Sequence, residues 1–285
     1  MTTLPKMIVK PKNRLAIIDV ASVPPDRIVV NAVEGYGKTS LVSFAPSPAI
    51  IMARGETGYP ALLKSGLVPS VPAVELNSWT ELLDQLDFIA TESVPYKTLA
   101  LDAISGFERM CHEFVCQRDF NGVWGDKGFD SYKVGYEVSV AEWLILLQKL
   151  DRIRAMGIMI VLLSHSKVAT FKNPLGPDYD RFVADCHAKT WSATAKWADC
   201  VFFGTFRDVV IDSKGAQAGD ATKGRKKGRG GNERVLYTQQ SAAFVAKNRN
   251  GMDAEITMPQ VPGEMWGTLM AAMKPQTVSE DLPPM

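Results

Sequence analysis

The chain has 285 residues, 46% hydrophobic and 22% charged, with a formal net charge of +1. That balance is ordinary for a globular protein with a sizeable core, in one large domain or two small ones, and leaves any pull on a polyanion to local patches. No apolar run approaches the length of a membrane span, so a membrane protein is excluded as a reading.

The opening residues, MTTLPKMIVKPKNR, lack the apolar core of a signal peptide, and the four cysteines (Cys111, Cys116, Cys186, Cys200) include no C-x-x-C pair. Both point to a cytoplasmic protein in a reducing compartment. Cys111 and Cys116 stand five apart on a predicted helix and so face different ways, which argues against a shared zinc ion.

Residues 1–26 hold a basic leader and a short apolar stretch, Leu15–Val20, ended by Val23-Pro24-Pro25. This reads as an extra edge strand or as an arm that pairs with a neighbour's sheet. A strand is predicted over Arg27–Ala32. The segment Ala32, Val33, Glu34, Gly35, Tyr36, Gly37, Lys38, Thr39 then fits the phosphate-binding pattern G-x-x-x-x-G-K-[ST], with alanine in place of the first glycine.

The spacing has a chemical reason. A triphosphate is cradled by successive backbone N–H groups at a helix N-terminus, so the backbone must come close and unshielded. Gly35 and Gly37 allow that approach, Lys38 is placed to reach the β- and γ-phosphates, and the Thr39 hydroxyl to hold Mg²⁺. Ser40 closes the contact set for ATP but lies one residue too far round the helix to replace Thr39. The helix is expected to run to about Phe44.

Ala49–Ala53 is a continuous apolar run of the kind found in buried parallel strands. Glu56 follows it, where functional groups of such sheets collect. A helix is predicted over Trp79–Thr91, opened by Ser78 as N-cap and Glu81 three residues on. Thr98–Asp102 reads as a strand tipped by an aspartate, which would join the Mg²⁺ shell directly or through water. A helix follows over Ile104–Arg118.

Asp119–Val138 reads as a long irregular loop in which Trp124 and other aromatics interleave with Lys127 and Lys133. That pattern suits stacking on unpaired bases, and equally a packed surface loop. Ser139–Met156 is predicted helical, and Ile158–Leu163 a strand with Ser164, His165 and Ser166 at its tip. His165 is assigned a γ-phosphate sensor role in preference to a structural one.

Lys167–Lys189 reads as a second long loop carrying Lys167, Lys172 and Arg181. A short helix is expected over Thr190–Trp197 and a strand over Cys200–Phe206. Ser213–Asn232, with Arg225, Lys226 and Lys227, is low in complexity and basic, which attracts phosphate backbones. Val235–Thr238 and Ala242–Lys247 are expected to pair as strands, followed by Lys247, Asn248, Arg249. The residues from Pro262 show near-helical spacing and then an acidic, proline-rich end expected to be disordered.

This order of parts resembles the ATPase core of RecA-like recombinases, most closely compact phage-encoded nucleotide-binding and single-strand annealing ATPases. The resemblance covers about Arg27–Met258 and implies an α/β, RecA-like P-loop NTPase core. Its central sheet would be mostly parallel and flanked by helices, with an antiparallel strand pair near the C-terminus. The implied division is an N-terminal arm or edge strand (1–26), the core (27–260), and a C-terminal helix with a disordered tail (261–285).

It further implies ATP and Mg²⁺ as cofactors, Glu56 as the residue that activates water, Asp102 as the magnesium aspartate, and His165 as the group coupling the γ-phosphate to DNA. The two long loops would bind single-stranded DNA and stimulate hydrolysis. Lys247 and Arg249 would reach the ATP of the next subunit in a ring or filament. Implied with these are a single-strand binding protein as a further partner and the host cytoplasm as location. The rival reading is a P-loop motor or switch that acts on a protein partner without DNA.

Overall fold

The computed structural model describes residues 23–211 and 227–273. The expected arm is thus described only from Val23 on, and the expected disordered tail, 274–285, lies outside the described residues.

The centre is a nine-stranded sheet of order β3-β2-β4-β5-β1-β7-β8-β9, with β6 pairing β5 outside that path. Its strands are β1 (Arg27–Ala32), β2 (Pro48–Ala53), β3 (Ala73–Leu76), β4 (Thr98–Asp102), β5 (Met159–Phe171), β6 (Tyr179–Ala184), β7 (Cys200–Ile211), β8 (Lys227–Tyr237) and β9 (Glu255–Met258). From β3 to β7 every pairing is parallel, whereas β8, β9 and β6 pair antiparallel. The helices are α1 (Lys38–Ser43), α2 (Gly58–Lys64), α3 (Trp79–Thr91), α4 (Ile104–Phe120), α5 (Val134–Ala155), α6 (Ala188–Trp197) and α7 (Pro262–Met273). The architecture is the α/β, mostly parallel sheet expected.

Alternation along each strand explains why both faces are covered. In β1, Val29 joins the core under α3, α4 and α5, while Ile28, Val30 and Ala32 join the core under α1 and α7. Trp79, Phe107 and Trp143 fill the first core, and Leu41, Met265 and Trp266 the second. Helix α3 begins as its sequence dictates: the Ser78 hydroxyl accepts from the Glu81 N–H at 3.2 Å, and the Glu81 carboxylate accepts from the Asn77 N–H at 2.8 Å.

Several sequence expectations are corrected. The long loop over Asp119–Val138 is shorter, because α4 runs on to Phe120 and α5 begins at Val134. Its aromatic content is partly core: Phe129 is fully buried, with ring centroids of Trp124, Tyr136, His112 and Phe120 at 5.0, 4.9, 5.5 and 5.6 Å. Phe129→Ala is therefore expected to cost about 3–5 kcal/mol of stability, as emptying a filled aromatic site does. Denaturant unfolding checks this, and a loss below about 1 kcal/mol would place the ring outside the core.

The second long loop, Lys167–Lys189, is instead a hairpin: β5 continues to Phe171 and turns back as β6, with Ser166 opposite Ala184 and Phe171 opposite Tyr179. The strand expected over Ala242–Lys247 is absent. Only isolated bridges form there, Phe182 with Phe244 and Val201 with Lys247. The antiparallel pairing near the C-terminus exists, but β8 makes it with β7 and β9. Strands β3 and β9 and helix α2 were not anticipated.

Candidate active site

The parallel strands deliver their C-terminal ends to one edge, and the expected nucleotide residues gather there. Strand β1 runs into the loop with Ala32 opposite His165 on β5 and Gly204 on β7. Ala32 is a strand residue. Within the loop only Gly35 (φ 71°) and Gly37 (φ 100°) take the left-handed region, so alanine is tolerated at 32 and glycine is required at the other two. Helix α1 starts at Lys38 on Gly37, with no side-chain cap on its first-turn N–H groups.

Lys38 is buried, and its Nζ donates to the Ala32 carbonyl at 2.9 Å and the Val33 carbonyl at 3.2 Å. Burial pulls its pKa below the ordinary lysine value, against the opposing charges of Asp102, Glu56 and Glu34. Thr39 Oγ1 donates to Asp102 Oδ2 at 2.6 Å. Burial raises the Asp102 pKa, the Thr39 hydrogen bond opposes this, and Glu56 adds to the rise.

Glu56 lies in the turn after β2, held by its N–H on the Ala53 carbonyl at 3.1 Å. Its Oε1 stands 3.8 Å from His165 Nε2. Glycine at 106 in α4 keeps this corner close, since a Cβ there would come within 2.5 Å of the Ala53 Cβ and 4.0 Å of Glu56 Oε1. Lys38, Thr39, Asp102, Glu56 and His165 thus share one site. Hydroxyl and carboxylate oxygens are the donor set a magnesium ion takes, and Thr39 with Asp102 fits it.

Lys247 and Arg249 are not part of this cluster. Lys247 bridges Val201 near the start of β7, and Arg249 Nη1 donates to Asp199 Oδ1 at 2.9 Å. Asp199 also accepts both Arg27 Nε and Nη2 at 2.9 Å, at the opposite end of β1 from the loop. Burial alone would raise the Asp199 pKa, yet Arg27 and Arg154 hold it below the usual carboxylate value.

The expected DNA contacts lie on separate segments. Trp124 is half exposed at 45% and Lys127 is exposed, both on the 121–133 segment. Lys133 pairs with Asp130 at 3.2 Å, Lys167 with Asp185 at 2.9 Å and Lys172 with Asp178 at 2.5 Å. Arg181 stacks on Phe171 at 4.1 Å. Arg225 and Lys226 lie outside the described residues, and Lys227 is placed only as the first residue of β8.

Sequence reasoning missed Arg234, whose Nε donates to the Tyr36 carbonyl of the phosphate loop at 2.8 Å. No local signal marks it, because it sits in a polar strand nearly two hundred residues from the loop it touches.

Among solved structures, that of the RadB recombinase is similar to this chain at 12% identity and a TM-score of 0.45, covering 84% of this chain and 89% of that one. No curated protein matches it. A family model described as an AAA domain matches residues 25–250, which takes in every strand from β1 to β8 and the whole of the site above. The chain therefore belongs to that AAA domain family, and is a P-loop ATPase by family.

Proposed function

We propose that this protein binds and hydrolyses ATP with Mg²⁺ and works as an assembly on single-stranded DNA. The observation that carries the hydrolytic part is the 2.6 Å hydrogen bond from the Thr39 hydroxyl to the Asp102 carboxylate beside a phosphate loop. Those two residues would hold the magnesium, which when bound neutralises phosphate charge.

The remaining roles fall to this chain's own groups. The N–H groups around Gly35 and Gly37 cradle phosphate oxygens, and Lys38 leaves its two carbonyls to pair with them. Glu56 orients water and takes its proton, and His165, 3.8 Å away, positions that carboxylate and senses the γ-phosphate.

The assembly part rests on distance. Arg249 is bonded to Asp199 beside Arg27, and Arg27 lies five residues, roughly 17 Å, along β1 from Ala32; that separation from its own loop supports a role for Arg249 at a neighbour's site. Trp124, Lys127 and the β5–β6 hairpin are the surfaces proposed to meet DNA, by stacking and by charge.

A phosphate-release assay with and without a single-stranded oligonucleotide tests the whole reading. Turnover that rises with DNA is expected, together with DNA affinity that drops steeply between low and moderate salt. One observation favours the rival switch on a protein partner: Lys133, Lys167 and Lys172 are each already paired with a carboxylate of this chain. ATP turnover with no oligonucleotide binding at low salt would select that rival.

A further inference from the structure

The phosphate loop does not hold its shape alone. Tyr36, near its centre, is fully buried and lies across β7 where only glycine fits: a Cβ on Gly204 would stand 2.7 Å from Tyr36 Cε1 and Cζ. Phe206, two residues further and so on the same face of β7, meets the Tyr36 ring edge-on at 6.2 Å.

Arg234 closes the arrangement from β8. Its Nε donates to the Tyr36 carbonyl at 2.8 Å, its Nη1 donates to the Gln260 carbonyl at 3.2 Å and to Gln260 Oε1 at 2.8 Å, and its guanidinium lies 5.8 Å over the Phe206 ring. Gln260 is itself tied down, its Nε2 donating to the Asn232 carbonyl at 2.6 Å.

We propose that Arg234 is a positioning residue for nucleotide binding, acting through the peptide that joins Tyr36 to Gly37. A trans peptide points its C=O and N–H in opposite directions. Drawing the Tyr36 carbonyl toward Arg234 therefore turns the Gly37 N–H the other way, into the phosphate cradle. The grip is needed because glycine at 37 accepts either sign of φ, so this peptide can flip at little cost. Flipped, it would present a carbonyl oxygen to phosphate oxygens, which repel it. The inference rests on the reading that the loop binds ATP.

The test uses the full chain, magnesium and a fluorescent ATP analogue, with turnover measured alongside. Arg234→Ala is expected to weaken analogue binding about tenfold, the effect of losing one charge-assisted hydrogen bond. The loss should enter KM far more than kcat, because Glu56, which handles the water, and Asp102, which would hold the magnesium, are untouched. Arg234→Lys, which keeps a donor, should recover part of the loss, and Gln260→Ala, which frees the fork, should show a smaller loss of the same kind.

A folded Arg234→Ala protein with wild-type affinity overturns the proposal. If that variant fails to fold, Gln260→Ala decides, and wild-type affinity there overturns it equally. Failure of the wild-type chain to bind the analogue overturns the nucleotide reading itself, and is distinguishable because it needs no variant.

Discussion

Lys38→Ala is expected to abolish ATP binding, weakening it by about a hundredfold or more. The ammonium is compact and buried, and in the structure its Nζ is held by the carbonyls of Ala32 and Val33 at 2.9 and 3.2 Å. Those bonds park the charge at the loop while it waits for phosphate. Each bond to a charged partner contributes about 1.5–3 kcal/mol, so losing two phosphate contacts amounts to roughly a hundredfold or more in affinity. Removal of the side chain also takes a positive charge from the loop, leaving it more negative where the phosphates must sit. Titration with labelled ATP checks the result, and wild-type affinity in the variant would remove this loop from the nucleotide site.

Arg249→Ala is expected to abolish hydrolysis while sparing nucleotide binding. A cation supplied in trans to a phosphoryl-transfer site is worth on the order of 10³ to 10⁵ in rate. The side chain suits such a role: it is 61% exposed and shares Asp199 with Arg27, whose two bonds at 2.9 Å satisfy that carboxylate on their own. Because Arg27 keeps the buried Asp199 carboxylate paired, releasing Arg249 leaves no uncompensated buried charge, and the variant is expected to fold.

Mixing provides the sharper measurement. Arg249→Ala subunits keep an intact phosphate loop, and Lys38→Ala subunits keep an intact arginine, so mixed assemblies should regain part of the turnover that each lacks alone. Normal hydrolysis by Arg249→Ala, or no recovery on mixing two folded variants, would remove the trans role.

Much of the fold was legible because some segments carry strong local signals. Strand β1, strand β4 and helix α3 were read at their observed bounds, Arg27–Ala32, Thr98–Asp102 and Trp79–Thr91. Strands β1 and β4 hold the apolar runs Ile28–Val30 and Leu99–Leu101, and α3 is opened by the capping residue Ser78. What was misread is extended chain with one wet face. Beyond His165, β5 leaves the central sheet and pairs only with β6, so Lys167, Val168 and Thr170 are exposed and the stretch looks like loop. Strand β3 is exposed at three of its four positions and β9 is nearly as open, which leaves no apolar run to find. The first turn of helix α5, Val134–Val138, follows a glycine- and aromatic-rich stretch and so reads as loop, and the packing of Gly135 against Phe129 that the helix makes is a tertiary contact with no local signal.

The sequence by itself determined the phosphate loop, the aspartate strand tip and Glu56, since these depend on spacing within one strand and the turn that follows it. Only the tertiary structure decided that His165 meets Glu56, that Arg249 stands at the far end of the sheet from its own loop, and that Arg234 holds the Tyr36 carbonyl. Those relations follow from strand order and register, which join residues far apart in the chain, and no local pattern encodes which strands become neighbours.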